Sequence, residues 1–469
     1  MRAFWLLIFI SCLCGETVLA EEYFVRFKTP ECFRIFMSTG MGKLNFIREM
    51  FGSKVKKTFC FGSFRGITID VPEEVMEKMK RNPLVAEMVP NIKFDAFGDN
   101  DYDEEYGDPH DGDGDIENDD DDDYDADDDL YDRTEIQNNA PRHLARLSRR
   151  SQLPFDFDDE KYYESFNYYY DKFHQGQGVN VYIIDTGIHP NSDEFDERLH
   201  FGQDFTGEGV GDSNGHGTHV AGIVASKRFG VAKKANIIDV KALNSKGQGN
   251  LTTVISSIEF AIAHCRENND NKACVANLSL GSMRNSVINQ AVKAAFESGL
   301  LMVTAAGNSN MNACWTSPAS APEAIAVGAF DDRTDTIARF SNWGQCVDVF
   351  APGVKVRSLS IRNPNKWASF SGTSMSSPSI AGLCAILINK GVDINDIKEK
   401  VIELTTDDIL QKRTLIMKPG TPNRIAFNGI KLEDDEFENA IYPIVDMDSF
   451  IEALEKYQPN NADFTFGRE

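Results

Sequence analysis

The sequence predicts an α/β fold, a mostly parallel sheet with helices on both faces, preceded by a small α+β domain. Three observations carry this. Short apolar runs at 179–184, 235–240, 275–280 and 300–304 have the length and unbroken hydrophobicity of strands buried on both sides. Between them the spacing turns helical: Leu251, Val254, Ile255, Ile258 and Ile262 share one face, and Val287, Ile288, Ala291 and Ala295 another, closed by Gly299. Strand and helix thus alternate from residue 135 to about 430, which calls for crossover connections and a parallel sheet. Residues 21–95 have a shorter, more mixed rhythm and form a separate unit.

In chain order, residues 1–20 carry Arg2, an apolar run from Phe4 to Ile10 and Val18-Leu-Ala20, the pattern of a cleaved signal peptide. An uncleaved anchor is the alternative, but the run is short for a bilayer and no later segment approaches spanning length. A secreted product is expected, with no stable membrane span and no nucleic-acid partner. In 21–95, strands are expected at 22–27, 64–71 and 84–89. An amphipathic helix is expected at 41–51, and a second from Pro72, with Glu73 and Glu74 in its first turn. Residues 96–134 form a linker: 99–132 hold twenty Asp or Glu and no Lys or Arg, and without them the net charge of −25 would be −5. Such a stretch repels itself and has too few apolar residues to fold, so a solvated linker is expected. Calcium buffering or docking to a basic partner are alternatives, although no EF-hand spacing occurs. Residues 431–469 are an acidic extension without a motif.

The chemistry centres on residues 371–378, Ser-Gly-Thr-Ser-Met-Ser-Ser-Pro. They lie between an extended run and a helical apolar run at 380–388, with Pro378 expected in the first helical turn. Ser374 is thereby placed at a helix N-terminus, where free N–H groups favour developing negative charge. Alone this is also what an ordinary cap looks like. A nucleophilic serine needs a base, and residues 214–222, Asn-Gly-His-Gly-Thr-His-Val-Ala-Gly, offer His216 and its rival His219. Asp185 ends the apolar run 180–185 and can orient such a base. Residues 304–309, Thr-Ala-Ala-Gly-Asn-Ser, end another run and offer the Asn308 amide as an oxyanion donor, or an ordinary turn.

These four motifs, in this order, resemble the subtilisin-like serine peptidases. The resemblance covers about three hundred residues and implies an endopeptidase working through an acyl-enzyme. Ser374 would be the nucleophile, His216 the base, Asp185 its orienting partner and Asn308 the oxyanion donor. Losing that donor costs about 10²–10³ in rate in subtilisin, where it was measured. His219, Ser376 and Ser377 would then be structural. The resemblance also implies that 21–95 is an inhibitory propeptide and intramolecular partner. Because its tail meets the cleft at very high effective concentration, Ser374 is expected to cut the chain in cis between about residues 90 and 138. Residues 135–148 resemble the mature amino-terminal segment of the proteinase K branch. Arg149-Arg150 supports the rival view of cleavage by a dibasic protease.

One wall of the substrate cleft would be Ser279, Leu280 and Gly281, bordering a pocket with Ala305, Ala306 and Gly307. Gly249 and Leu251, within 247–251, would supply the opposite edge. Such small residues leave room for bulky apolar groups, and an extended polypeptide would bind by β-augmentation. Ser282 and Ser379 depart from the family pattern, which has glycine and histidine there. Of nine cysteines, Cys314 and Cys346 match a bridge of some relatives, Cys265 and Cys274 would pair by proximity, and Cys384 is left as a buried thiol. No cofactor is required for catalysis. A structural calcium is implied at Asp348 with the carbonyls of Pro322 and Ala324, a turn cap being the alternative. Two other readings remain, a selective processing protease and an inert secreted binding module.

Overall fold

The computed structural model describes residues 21–42, 55–97, 133–155, 166–190, 193–268, 273–362 and 367–430. The signal segment, the acidic run and the C-terminal extension lie outside the described residues, as does most of the helix expected at 41–51.

The first unit comprises β1 (Glu21–Phe27), α1 (Pro30–Gly42), β2 (Val55–Phe61), β3 (Phe64–Val71), α2 (Glu73–Lys80) and β4 (Val85–Pro90). Its helix α1, which the sequence reading did not expect, has Pro30 in its first turn and Glu31 beside it, where a missing donor costs nothing and the dipole favours an acid. The sheet is antiparallel in the order β2-β3-β1-β4. Alternation along its strands gives two faces. Tyr23, Val25, Phe27, Ile67 and Ile69 pack with Met76 and Met88 as this unit's own core. Phe24, Phe59, Phe61 and Phe64 point the other way and join the core of the larger domain.

That domain continues with β5 (Lys93–Ala96), β6 (Thr134–Ala140), α3 (Arg142–Leu147), β7 (Phe166–Asp171), β8 (Asn180–Asp185), β9 (Leu199–Asp204), α4 (His216–Ala225), β10 (Asn236–Lys241) and β11 (Gln248–Asn250). Then come α5 (Leu251–Asn268), β12 (Cys274–Leu278), β13 (Leu280–Met283), α6 (Ser286–Phe296), β14 (Leu300–Ala305), β15 (Thr316–Ser317), β16 (Ile325–Asp331), β17 (Thr336–Ile337) and β18 (Val349–Pro352). The hairpin β19 (Val356–Leu359) and β20 (Trp367–Phe370), α7 (Thr373–Asn389), α8 (Ile394–Leu404), β21 (Thr406–Asp407) and β22 (Arg424–Ile425) complete the domain.

The central sheet runs β9-β10-β8-β12-β14-β16-β18-β22-β21 and is parallel from β9 to β22, with β21 and the appended β17 antiparallel. Period-two alternation explains why its strands are apolar throughout. Val181, Ile183, Leu301 and Val303 face α4 and α7, while Tyr182, Ile184, Leu300 and Met302 face α5 and α6. The expected strand at 275–280 is two strands, broken at Ser279, whose carbonyl turns into the cleft.

The first unit docks on α5 and α6. Besides the phenylalanines, Lys57 Nζ donates to Ser256 Oγ (2.6 Å), Glu259 accepts from the Cys60 N–H (2.9 Å) and Ser63 Oγ donates to Glu297 (2.8 Å). Residues 133–155 are part of the large domain's body. Arg142 pairs with Asp332 at 2.6 Å and Arg146 with Asp335 at 3.3 Å, all buried. Arg149 is also buried, and Arg150 lies over the Phe427 ring while donating to the Thr405 carbonyl. Among the described residues, no helix is long and apolar enough to cross a membrane.

Candidate active site

Helix α7 starts at Thr373, so Ser374 lies in its first turn and Pro378 lies inside the helix rather than in its opening turn. This corrects the expected boundary, and it has a cause. Pro378 cannot donate to the carbonyl four residues back, that of Ser374. Ser279 Oγ supplies the missing donor at 3.0 Å, and Ser377 Oγ lies 3.0 Å from the same hydroxyl. Ser376 Oγ donates to the Ala351 carbonyl (3.0 Å), so both neighbouring serines are engaged in packing. Ser379, flagged as a departure, is buried with no hydrogen-bond partner for its hydroxyl among the described residues.

His216 opens α4, and its Nδ1 lies 2.7 Å from Asp185 Oδ1 at the carboxyl end of β8. Such proximity requires glycine at 217. A Cβ there would lie 2.2 Å from the Gly187 carbonyl oxygen and 3.2 Å from Asp185. Asp212, a residue that local pattern did not single out, holds the approach. Its Oδ1 accepts from the Gly215 N–H and Thr186 Oγ1, and its Oδ2 from Thr218 Oγ1, at 2.7–2.9 Å. Burial alone would lower the proton affinity of His216, but the Asp185 carboxylate and its hydrogen bond more than reverse this, and the pKa is raised.

His219 is different. Its Nε2 lies 3.1 Å from the Val356 carbonyl and 3.0 Å from that of Ala368, and its ring stacks on Phe370. Two acceptors on one nitrogen fix the proton there, and complete burial lowers the pKa to about 3. It ties the β19–β20 hairpin to α4.

Ser374 and Asn308 meet on one atom. The Ser374 hydroxyl donates to the carbonyl oxygen of Phe97, and Asn308 Nδ2 donates to the same oxygen at 3.0 Å. Thr373 dictates the orientation of that amide. Its N–H and hydroxyl both donate to Asn308 Oδ1 (2.9 and 2.8 Å), which leaves the NH₂ facing the cleft. Thr373 Oγ1 in turn accepts from the Gly307 N–H at 3.1 Å. Ser374 Oγ also donates to the Ser279 carbonyl (3.1 Å), while His216 Nε2 has no hydrogen-bond partner among the described residues.

Phe97 is there because β5 is the middle strand of a small sheet, in the order β11-β5-β13-β15. Gly249 stands opposite Phe94, Gly281 opposite Asp95 and Leu280 opposite Ala96, all antiparallel. The Phe97 N–H donates to the Ser279 carbonyl (3.1 Å), the Ala96 N–H to that of Gly247 (2.9 Å) and the Leu251 N–H to that of Ile92 (3.0 Å). A Cβ on Gly281 would fall 2.4 Å from Phe97 Cζ, and one on Gly307 3.6 Å away, so the ring sits between these two residues. Ala305 and Ala306 are fully buried behind Gly307 in sequence. Phe94 is fully buried in the cluster that contains Leu243, Leu251 and Leu280. The expected cleft walls thus enclose the chain's own residues 93–97. The expected boundaries, propeptide to 95 and linker from 96, cut through this strand.

Cysteines 314 and 346 are joined, as are 265 and 274, and Cys384 is a buried free thiol whose pKa is raised by burial. Asp348 and the carbonyls of Pro322 and Ala324 also converge, around the ammonium of Lys398.

The geometry polarises one carbonyl with two donors, one of them the hydroxyl of Ser374, and keeps a carboxylate-backed imidazole within the same domain. Comparison with known proteins gives the same family from three directions. A model described as the Subtilase family matches residues 176–423. A subtilase-type proteinase of Saccharomyces cerevisiae, RRT12, is 45% identical over 443 residues, covering 93% of this chain and 88% of its own. Cerevisin, also from Saccharomyces cerevisiae, is 41% identical over 325 residues, 64% of this chain and 49% of its own. A solved cold-adapted subtilisin-like serine proteinase superposes with a TM-score of 0.54 at 35% identity, over 63% of this chain and all of its own.

Proposed function

The chain belongs to the subtilase family and is a serine endopeptidase; from that premise we propose that it is a secreted zymogen that cuts itself between Phe97 and Gly98. The observation that carries this is the Phe97 carbonyl oxygen, held by the Ser374 hydroxyl and the Asn308 amide at the end of a strand bound as a substrate would be. Ser374 attacks that carbon after its hydroxyl turns to His216 Nε2, which takes the proton and gives it to the departing Gly98 amine. A water activated by His216 then hydrolyses the Phe97–Ser374 ester, releasing the Phe97 carboxylate and restoring the Ser374 hydroxyl. Asp185 holds the ring and steadies the imidazolium, and Asn308 strengthens its bond as the oxygen becomes negative. Tethering makes the first substrate intramolecular, at very high effective concentration.

After the cut, residues 21–97 keep the whole face of docked phenylalanines and the strand in the cleft, so they act as an inhibitor until degraded. Phe97 and Phe94 also indicate the preference in trans, aromatic or bulky apolar groups at the cleaved residue and three before it, rather than paired basic residues. Burial of Arg149 and the engagement of Arg150 with Phe427 argue against maturation at that dibasic pair. Two disulfides suit an oxidising secretory compartment.

Amino-terminal sequencing of the mature protein is expected to begin at Gly98, and a Ser374→Ala chain to stay joined to its propeptide and to escape a fluorophosphonate probe. Normal processing of the Ser374→Ala chain would sink self-cleavage, and an unlabelled wild type would favour an inert binding module.

A further inference from the structure

We infer that Lys398 stands permanently where a calcium ion would bind, so that this corner of the domain is held by a tethered cation. The three oxygens that the family resemblance assigns to calcium are all present. Lys398 Nζ donates to the Ala324 carbonyl at 2.7 Å and to that of Pro322 at 3.1 Å, and it lies 2.9 Å from Asp348 Oδ2. An ammonium has three donors and no acceptor, so these three oxygens saturate it.

Calcium takes about 6–8 oxygens at roughly 2.3–2.6 Å, water included, but the position between the Asp348 carboxylate and the Pro322 and Ala324 carbonyls is already filled by the Lys398 ammonium. Among the described residues, no group of three His, Cys, Asp or Glu side chains is placed to hold a metal ion. A dication would also have to sit against a fixed positive charge, at a distance where repulsion costs several kcal/mol even at an effective dielectric of about 20.

The fold explains how the lysine arrives. Helix α8 buries Ile397 and Val401, one turn apart, and Asp393 caps its start by accepting from the Asn395 N–H. Its rotation is thereby fixed, and Lys398, next to Ile397, reaches the loops that lead into β16 and β18. There Ala324 precedes Ile325, and Asp348 precedes Val349. Asp348 is largely buried, and its Oδ2 also accepts from the Ala326 N–H (2.9 Å). Without a neighbouring cation, that carboxylate would be a buried charge facing two carbonyl dipoles. Lys398 therefore ties α8 to the starts of two central strands and needs no ion from solution. The inference rests on the fold alone and not on the catalytic reading.

The test uses the full-length chain carrying Ser374→Ala, so that self-digestion does not intrude, and reads the thermal midpoint in EGTA and in millimolar calcium. The parent is expected to melt at the same temperature in both. Lys398→Met in that background is expected to melt several degrees lower in EGTA and to recover part of the loss when calcium is added, because Asp348 and the two carbonyls are then free for it. Two results would overturn the inference: a parent midpoint that falls in EGTA, with the fall abolished by Asp348→Asn, or a Lys398→Met chain that melts like the parent.

Discussion

Burial and a carboxylate pull the proton affinity of His216 in opposite directions, and the carboxylate wins because Asp185 Oδ1 lies only 2.7 Å from the ring nitrogen. The base works in its neutral form, so peptide hydrolysis should fail as the pH drops through a value above the ordinary histidine pKa of about 6.5. Replacing Asp185 by Asn removes the group that stabilises the imidazolium. The acid limb of kcat/KM should then move to lower pH, while kcat falls by about 10⁴ as the wrong tautomer is held. An acid limb that stays in place would show that Asp185 does not set the ring's affinity. At this scale much was legible in the chain. Asp185, His216, Asn308 and Ser374 stand out by their glycine-rich surroundings and apolar lead-ins. Thr373 and Asp212 were not legible, because a threonine before a helical serine and an aspartate in a turn look the same whether or not they orient a reacting group.

At the scale of the element, β5 lies between β11 and β13, and Phe97 just past its end lies between Gly281 and Gly307. Main-chain pairing is indifferent to side chains, so selectivity depends on the spaces beside Gly281 and around Phe94. Gly281→Ala puts a methyl 2.4 Å from Phe97 Cζ, on a strand that cannot retreat because Ser282 and Met283 pair with β15. This variant should lose on the order of 10–200-fold in kcat/KM for peptides with Phe at the cleaved position. Peptides with Ala there should be spared, and self-processing at Phe97 should slow in parallel. Equal losses for both peptides, measured side by side, would remove the ring from that pocket. The strand itself escaped sequence reading, since residues 93–96 are short, mixed and beside the acidic run, and their extended form depends on partners more than a hundred and fifty residues away.

In the whole molecule, two buried histidines tie distant segments and make folding sensitive to acid. His143 on α3 lies 3.0 Å from the Phe229 carbonyl, and its pKa is lowered to about 4 by burial; that of His219 is lowered to about 3. Both are neutral in the fold and ionise near pH 6.5 when unfolded. The unfolded chain therefore binds more protons between that value and their folded pKa values, and stability falls as the pH falls through this window. Each can contribute up to about 1.4 kcal/mol per pH unit there. Asp239 acts in the opposite sense, since burial raises its pKa to about 7 and the fold takes up its proton first. A His143→Gln chain, compared with its parent in the Ser374→Ala background, isolates one of these groups. Its thermal midpoint should drop less between about pH 7 and about pH 5 than the parent's. An identical drop would mean that His143 is not held neutral.

The order of the motifs, the parallel sheet under two helical layers and the separate amino-terminal unit were all present in the sequence by itself. Each depends on a pattern within some ten residues: a buried strand's apolar run, a helix's 3.6-residue stripe, a glycine beside a reacting side chain. Tertiary structure alone decided which carbonyl meets Ser374 and Asn308, that Ser279 Oγ completes the helix broken by Pro378, and that Lys398 occupies the oxygens expected to hold calcium. In each case one partner lies tens to hundreds of residues from the other. Local pattern fixes how a segment folds, but only packing determines which lysine, hydroxyl or carbonyl ends up against it.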